Sequence, residues 1–300
     1  MRSIFLLSIL AWTPLFTLAQ EDNIMPSASA TEIYKTVDDI ALKAWVFNPP
    51  KHTAGDKRPA IIFFFGGGWR TGTPTQFQKH CEYLAARGMV ALAVDYRVSS
   101  RHAVEANSCV SDAKSAIRWM RKNADRLGID PDKIVASGGS AGGHLAASTA
   151  TLPEHSDPVD DLSVSATPNA LALFNPAVVL APIPDEKELG DHIMEMLSNR
   201  MGADPISLSP YHHIKPGIGQ TIIFHGTEDT TVEFRTVELF HQAMQANGNK
   251  SILVAYEGEG HGFFNYLRKN NGPFVSTVQK LDAFLISIGY LEAPPKLKEH

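Results

Sequence analysis

Ser140 lies at the centre of a short glycine-rich sequence, Gly138-Gly139-Ser140-Ala141-Gly142, which has the G-x-S-x-G pattern. The apolar stretch 133–137 precedes this pentapeptide and the helix-compatible stretch 144–151 follows it. A serine on a tight turn between strand and helix projects its hydroxyl from the carboxyl edge of a sheet, and small neighbours let the two elements approach each other. We predict that Ser140 is a nucleophile. A glycine-rich surface turn could carry the same residues, so this interpretation depends on partners elsewhere in the chain.

A serine hydroxyl becomes a good nucleophile when a histidine takes its proton and a carboxylate orients that histidine. Asp229 lies in the loop after a predicted strand that ends at His225, and His261 lies between two glycines after the next strand. Both loops should therefore lie at the same sheet edge as the serine. We predict His261 as the base and Asp229 as the acid. Asp229 is favoured over its neighbour Glu228 because it lies deeper in the loop.

Three further residues are weaker candidates for these roles. His144 would lie one helical turn beyond the serine, and His225 ends a strand beneath the loop of the acid, so both are predicted to be structural. Asp95 precedes the nucleophile in the chain and lies beside Arg97, which favours a structural ion pair.

Acyl transfer also requires hydrogen-bond donors for the oxygen that becomes negatively charged. A run of three glycines, 66–68, directly follows the apolar stretch 60–65. The backbone N–H groups of Gly67 and Gly68, together with that of Ala141 after the nucleophile, can converge on one oxygen because glycine permits close approach. These three residues are the predicted oxyanion donors.

Aromatic residues flank two of these motifs. Trp69 directly follows the glycine run, and Phe263 lies two residues after His261. We predict that both aromatic side chains contact the substrate.

Strands and helices alternate along the chain around these motifs. This alternation predicts an α/β fold with a doubly wound, mostly parallel sheet. A pair of alternating segments, 31–37 and 40–47, predicts an antiparallel hairpin at one edge of the sheet. The remaining predicted strands are 60–65, 89–94, 133–137, 170–174, 221–225 and 251–256, and the predicted helices are 75–87, 106–127, 144–151, 186–201, 234–246 and 273–288.

The length of 300 residues is compatible with one α/β domain, which we place at residues 31–291. A flexible lead of residues 20–30 is expected before it and a tail of residues 292–300 after it. Two segments, 152–168 and 182–216, interrupt the alternation at the carboxyl ends of strands, where α/β proteins bind ligands. The second segment is predicted to be a small lid or substrate wall.

The charge balance argues against a nucleic-acid partner. The chain has 27 Lys and Arg residues against 32 Asp and Glu residues, a formal net charge of −5, and no basic block. It has two cysteines, and neither C-x-x-C nor H-E-x-x-H occurs in it. We therefore predict that the protein binds no metal.

The amino terminus has the pattern of a cleaved signal peptide. A basic start is followed by a mostly apolar stretch, 4–18, and by small residues suited to cleavage after Ala19 or after Ala30. A membrane anchor is the alternative, but Thr13-Pro14 interrupts a stretch already shorter than the roughly 20 residues that span a bilayer. The expected product is a secreted or periplasmic protein without stable membrane insertion.

Cys81 and Cys109 are predicted to lie on helices that flank neighbouring strands. The alternative is that both cysteines are buried free thiols, since cysteine is often buried when unpaired. Export favours a disulfide bond between them, because thiols that meet outside the cytoplasm tend to be oxidised.

The segments 138–142, 66–68, 225–232 and 258–263 together resemble the α/β-hydrolase superfamily. More narrowly, they resemble secreted bacterial acetyl-esterase and feruloyl-esterase-like carbohydrate esterases, next to the hormone-sensitive-lipase-like esterases. The resemblance covers nearly all of the predicted domain. One departure is Phe65, because the lipase-type glycine run usually begins with histidine at this position.

The resemblance implies a serine esterase with Ser140 as nucleophile, Asp229 and His261 as its partners, and no metal or organic cofactor. Its implied partner is a small-molecule or carbohydrate ester, with an acetyl or feruloyl acyl group. Two other functions remain open: a serine peptidase of prolyl-oligopeptidase type, which shares this triad and its order, and a non-catalytic binding protein on a hydrolase scaffold.

Overall fold

The computed structural model describes Met25 and residues 27–184, 186–197 and 199–293. The predicted signal peptide, most of the predicted lead and most of the predicted tail lie outside the described residues. Within the described ranges, no helix combines the length and the apolar character needed to cross a membrane.

An eight-stranded sheet forms the centre of the described part of the chain. Its strands in chain order are β1 (Ala30–Val37), β2 (Ile40–Phe47), β3 (Arg58–Phe64), β4 (Val90–Val94), β5 (Ile129–Gly139), β6 (Ala170–Phe174), β7 (Gln220–Gly226) and β8 (Ser251–Tyr256). The spatial order is β1-β2-β4-β3-β5-β6-β7-β8. The pairs β1–β2 and β2–β4 are antiparallel, and the other pairs are parallel. The predicted mostly parallel sheet with an antiparallel edge is confirmed.

Helices cover both faces of this sheet, which explains why β4 and β6 are buried along their whole length. The helices are α1 (Gln78–Arg87), α2 (Ser99–His102), α3 (Ala106–Lys122), α4 (Ala124–Leu127), α5 (Ala141–Thr151), α6 (Lys187–Leu197), α7 (Pro205–Leu208), α8 (Phe234–Ala246) and α9 (Gly272–Ser287). Core residues of α1 and α9 belong to one apolar cluster, and those of α3, α5 and α8 belong to the other. Alternate residues of the central strands supply the two clusters.

One predicted helix is interrupted in the structure. The stretch 106–127 forms α3 and α4, which meet at Asn123, where φ is −98° and ψ is 15°. The side-chain amide of Asn123 donates to the carbonyl of Trp119 at 2.8 Å. An asparagine that satisfies a helix carbonyl with its own side chain favours an end of the helix at that point.

The predicted disulfide bond is wrong. Cys81 and Cys109 are both free and buried. Cys81 packs in the cluster below α1, whereas Cys109 packs in the cluster of α3, on the opposite face of the sheet. The prediction assumed that helices next to neighbouring strands face each other, but the sheet lies between these two helices.

The described part of the insertion 182–216 packs beside the segments that follow β6 and β7. Its helix α6 buries Leu189, Ile193 and Leu197, which line a small apolar cavity together with Leu180 and Val232. The insertion thus packs against the loop of the predicted acid.

Candidate active site

Ser140 occupies a strained turn between β5 and α5. Its φ of 55° and ψ of −121° are unfavourable for a residue with a side chain, and its N–H donates to the carbonyl of Phe174 at 2.9 Å. A Cβ atom on Gly142 would overlap the carbonyl oxygens of Phe64 and Phe65. The glycine at this position is therefore required by the close approach of α5 to β3, as expected for a nucleophile elbow.

His261 forms hydrogen bonds with both of its predicted partners. Its Nε2 lies 3.0 Å from the Oγ of Ser140, and its Nδ1 lies 2.7 Å from Oδ2 of Asp229. Because an ionised carboxylate only accepts hydrogen bonds, the proton of a neutral His261 belongs on Nδ1. The free lone pair of Nε2 then faces the hydroxyl of Ser140, which is the tautomer that a general base requires.

Asp229 is surrounded by hydrogen-bond donors. Its Oδ1 accepts from the N–H groups of Thr231 and Val232, both at 2.9 Å, and Nε2 of His225 lies 3.3 Å from its Oδ2. Burial alone would raise the pKa of the Asp229 carboxyl, but the hydrogen bonds from His225 and His261 hold that pKa well below its ordinary value. The alternative acid, Glu228, is exposed to solvent.

His225 supports this loop from below, as its position at the end of β7 predicted. Its Nε2 lies 2.8 Å from the carbonyl of Val232. The ring is buried, and its Nδ1 has no partner within the described part of the chain.

The glycine run lies beside the hydroxyl of Ser140. Gly67 and Gly68 have φ values of 128° and 63°, and both line the cavity that contains Ser140. Across the described residues, the N–H groups of Gly67, Gly68 and Ala141 donate to no other group of the protein. Three donors without internal partners at this edge are available for a developing oxyanion.

Phe65 stands where related glycine runs carry histidine, and stacking holds it in place. Its ring lies 4.1 Å from that of Tyr96, centroid to centroid, and its carbonyl accepts from the Tyr96 hydroxyl at 2.7 Å. The run is thus anchored by an aromatic pair in the core.

Trp69 links the glycine run to α5 and to the insertion. Its indole N–H donates to Nδ1 of His144 at 3.1 Å, so the ring proton of His144 lies on Nε2 and donates to the carbonyl of Leu208 at 2.8 Å. Burial lowers the pKa of His144 to about 4, which keeps the ring neutral. His144 is thus a structural residue that joins three segments. Trp69 is buried, and the cavity that it lines is next to the cavity of Ser140.

Three amide side chains around the site were not predicted. Gln76 accepts from the N–H of Gly66 at 2.7 Å and donates to Asn265 at 2.9 Å. Asn265 donates to the carbonyl of Gly262 at 2.9 Å, and Oδ1 of Asn175 accepts from the N–H of Gly262 at 3.2 Å. The chain of amides joins the glycine run to the loop of His261.

Asn175 also carries a sequence signal that could have identified it. It directly follows the buried strand β6, next to the strand of the nucleophile, and polar residues at that edge face the ligand side of an α/β sheet. Its φ is 34°, and its Nδ2 is buried without a partner in the described part of the chain.

The predicted contact of Phe263 and the predicted ion-pair partner of Asp95 both differ in the structure. Phe263 is buried in the apolar core, where it packs against Tyr256, and its neighbour Phe264 is the ring that lines the cavity of Ser140. Asp95 is indeed in an ion pair, but its partner is Arg101, at 2.7 Å, and not Arg97.

The cavity above Ser140 has a volume of about 350 Å³. Its lining is formed mainly by the glycine run, the amides of Gln76, Asn175 and Asn265, and the side chain of Thr231. The site thus presents a nucleophile, a base and donors without internal partners in one open cavity.

Comparison with solved structures finds close similarity to esterase 2 of Thermogutta terrifontis, a Planctomycetes species. Its apo form is 49% identical, with a TM-score of 0.84, over 91% of this chain and 98% of that one. Forms with propionate bound and phosphorylated by paraoxon match with the same TM-score, at 49% and 48% identity, each over 90% of this chain and 98% of that one.

Among curated proteins, the chain is similar to esterase LipC of Mycobacterium tuberculosis, with 28% identity over 68% of this chain and 53% of that protein. It is also similar to carboxylesterase NlhH of the same species, with 32% identity over 40% of this chain and 36% of that protein. The chain thus spans about half or less of the length of these curated relatives.

The family model described as BD-FAE matches residues 46–244, which include the glycine run, the nucleophile elbow and the acid loop. Together with the sheet order and the esterase structures, this match assigns the chain: it belongs to the BD-FAE family of α/β-hydrolases.

Proposed function

We propose that this protein is a serine carboxylic-ester hydrolase that acts through an acyl-serine intermediate. The observation that carries the proposal is the series of hydrogen bonds from the Oγ of Ser140 through both ring nitrogens of His261 to Asp229. Esterases and carboxylesterases among its relatives support the same reaction class.

In the first half of the reaction, Nε2 of His261 takes the hydroxyl proton of Ser140 while Oγ attacks the ester carbonyl. The carbonyl oxygen becomes an oxyanion, for which the N–H groups of Gly67, Gly68 and Ala141 are the donors. Collapse of this intermediate breaks the bond to the alcohol oxygen, which receives the proton from His261. Water then repeats the sequence on the acyl-serine and releases the carboxylic acid and the free serine.

We propose that the acyl group is short, from acetyl to butyryl, rather than feruloyl. The apolar cavity beside Thr231 is only about 30 Å³, which suits the end of a short alkyl chain and not an aromatic ring. The related esterase 2 of T. terrifontis has been solved with propionate and with butyrate bound. We further propose that the alcohol part is a carbohydrate, which the resemblance to carbohydrate esterases implies. The signal-peptide pattern of residues 1–19 supports the proposal that the enzyme acts outside the cytoplasm.

A panel of nitrophenyl esters of rising acyl length tests the proposal, run beside acetylated xylan, methyl ferulate and a prolyl peptide substrate. We expect acetate to butyrate esters to be hydrolysed best and the peptide not at all. Cleavage of the peptide without ester hydrolysis would instead support the peptidase.

The role of Ser140 is tested separately with Ser140→Ala and with paraoxon, because the esterase from T. terrifontis has been solved in a form phosphorylated by it. We expect about a millionfold loss of turnover in Ser140→Ala. Paraoxon should add one diethylphosphoryl group to the wild type and none to the variant, as seen by intact mass. Near-normal turnover by the folded variant excludes Ser140 as the nucleophile.

A further inference from the structure

A second polar cavity adjoins the cavity of Ser140, and the two share Gly68 as a common wall residue. The volume of this second cavity is also about 350 Å³. We call it the arginine cavity; its polar and aromatic lining consists of Trp69, Arg70, Ser99, Glu105, Asn199 and Arg200.

Arg200 brings a positive charge next to a predicted oxyanion donor. Its Nη1 lies 3.6 Å from the position that a Cβ atom on Gly68 would occupy. Its backbone is fixed, because its N–H donates to Leu197 at 3.2 Å and its carbonyl accepts from the N–H of Ala106, at the start of α3, at 2.9 Å. The insertion therefore holds this guanidinium group beside the glycine run.

The two guanidinium groups of the arginine cavity have no carboxylate partner in the described part of the chain. Arg70 and Arg200 form no ion pair with any described residue, whereas Arg97, Arg101 and Arg118 each pair with an aspartate at 2.7 or 2.8 Å. Among the described residues that line this cavity, Glu105 alone has a carboxylate, so these residues carry one net positive charge.

We propose that the arginine cavity is a subsite for a carboxylate that the ester substrate carries beyond its scissile bond. A guanidinium group binds a carboxylate through two parallel hydrogen bonds, which fix the orientation of the bound group as well as its charge. This inference rests on the proposed ester hydrolysis. The carboxylate can belong to the alcohol part, as in a uronic acid, or to the acyl part, as in the half-ester of a dicarboxylic acid.

Two matched pairs of substrates distinguish these sources. The first pair is acetylated glucuronic acid and acetylated glucose, which differ at one carbon of the sugar. The second is a nitrophenyl half-ester of adipic acid and the neutral nitrophenyl ester with an acyl chain of the same length. For each pair we measure the ratio of kcat/KM for the anionic substrate to kcat/KM for the neutral one.

We expect this ratio to be about ten in one of the two pairs, since a hydrogen bond to a charged group contributes about 1.5 kcal/mol or more. Arg200→Gln should return the ratio to about one, mainly through a higher KM for the anionic substrate. Arg200→Lys keeps the charge but loses the planar guanidinium group that forms two parallel hydrogen bonds, so it should retain part of the preference for the anionic substrate. Added salt should lower the ratio in the wild type.

Arg126→Gln is the matched control, because it removes the same charge from α4, where Arg126 pairs with Glu32. It should leave the ratio unchanged, and Arg70→Gln provides a second test if Arg200→Gln does not fold. A ratio near one in both substrate pairs overturns the proposed subsite but not the proposed ester hydrolysis. A ratio that is unchanged in both Arg200→Gln and Arg70→Gln has the same consequence. Failure to hydrolyse any ester overturns the proposed function and the subsite with it.

Discussion

Replacing Asp229 by Asn should leave the site intact but hold His261 in the wrong tautomer. Oδ1 of Asp229 accepts two backbone N–H groups, and Oδ2 faces His261 and His225. An asparagine that keeps its oxygen toward the backbone donors turns its NH₂ group toward His261. The imidazole must then accept at Nδ1 and carry its proton on Nε2, where it cannot take the proton of Ser140.

The opposite orientation of the amide would place the NH₂ group against two backbone donors, so it is disfavoured. His225 retains its hydrogen bond to the carbonyl of Val232, at 2.8 Å, in either case. The geometry therefore predicts an unaltered fold and a loss of kcat by about 10⁴-fold, the cost of this change in a serine protease triad. That loss corresponds to about 5.4 kcal/mol in the activation free energy.

Steady-state hydrolysis of nitrophenyl acetate measures the effect, with thermal unfolding as the check on folding. The matched control is Glu228→Gln, because it makes the same chemical change one residue away on an exposed side chain. Its kcat should stay within about twofold of the wild type, as for a surface substitution with little energetic effect. Retention of a tenth or more of the wild-type kcat by Asp229→Asn, or a larger loss in Glu228→Gln, would refute the reasoning.

Three further outcomes are expected. The free energy of unfolding should fall as pH drops from about 6.5 toward 3, because burial lowers the pKa of His80 to about 3 and the unfolded chain then binds more protons. His80→Phe should reduce the dependence of the free energy of unfolding on pH by up to about 1.4 kcal/mol per pH unit. Denaturant titrations at pH 7 and pH 5 measure this dependence, and the same dependence in wild type and variant contradicts the role of His80. Asn175→Gly tolerates the φ of 34° but removes the acceptor for the N–H of Gly262, so kcat should fall at least tenfold; a normal kcat contradicts this role. A thiol reagent should find two reactive thiols per chain in denatured, unreduced protein and none in the native protein, since both cysteines are free and buried. If no thiol reacts after denaturation, the two cysteines form a disulfide bond after all.

The parts of the fold that depend on local pattern could be predicted from the sequence. Continuous apolar stretches marked the buried strands, and the predicted bounds of β6, α8 and β8 agree with the structure to the residue. The order of the motifs along the chain also placed Ser140, Asp229 and His261 at one edge of the sheet, because each follows a strand of the same direction.

The features that depend on which face an element covers could not be predicted. A strand that is buried on both sides has no polar face, so its sequence does not say on which side the next helix packs. This is why the disulfide prediction failed for Cys81 and Cys109. For the same reason, the sequence did not show which of two neighbouring rings faces the nucleophile. Phe263 was predicted, whereas Phe264 lines the cavity of Ser140.

The partners in the ion pairs near the end of β4 could not be predicted from the sequence either. Arg97 follows Asp95 by two residues, yet it pairs with Asp112 on α3, while Arg101 reaches back to Asp95. Such choices depend on distances between elements and not on spacing along the chain.

The hydrogen bond between His261 and Ser140 joins residues 121 positions apart, and the base follows β8, the edge strand that comes last in the described sheet. Closing a loop of this length costs chain entropy, which must be overcome before the contact can stabilise the fold. A chain in which β8 has not yet paired would lack the base beside Ser140 and could not activate its hydroxyl. Recovery of activity during refolding should therefore coincide with completion of the sheet and not precede it, which makes turnover a direct reporter of global folding.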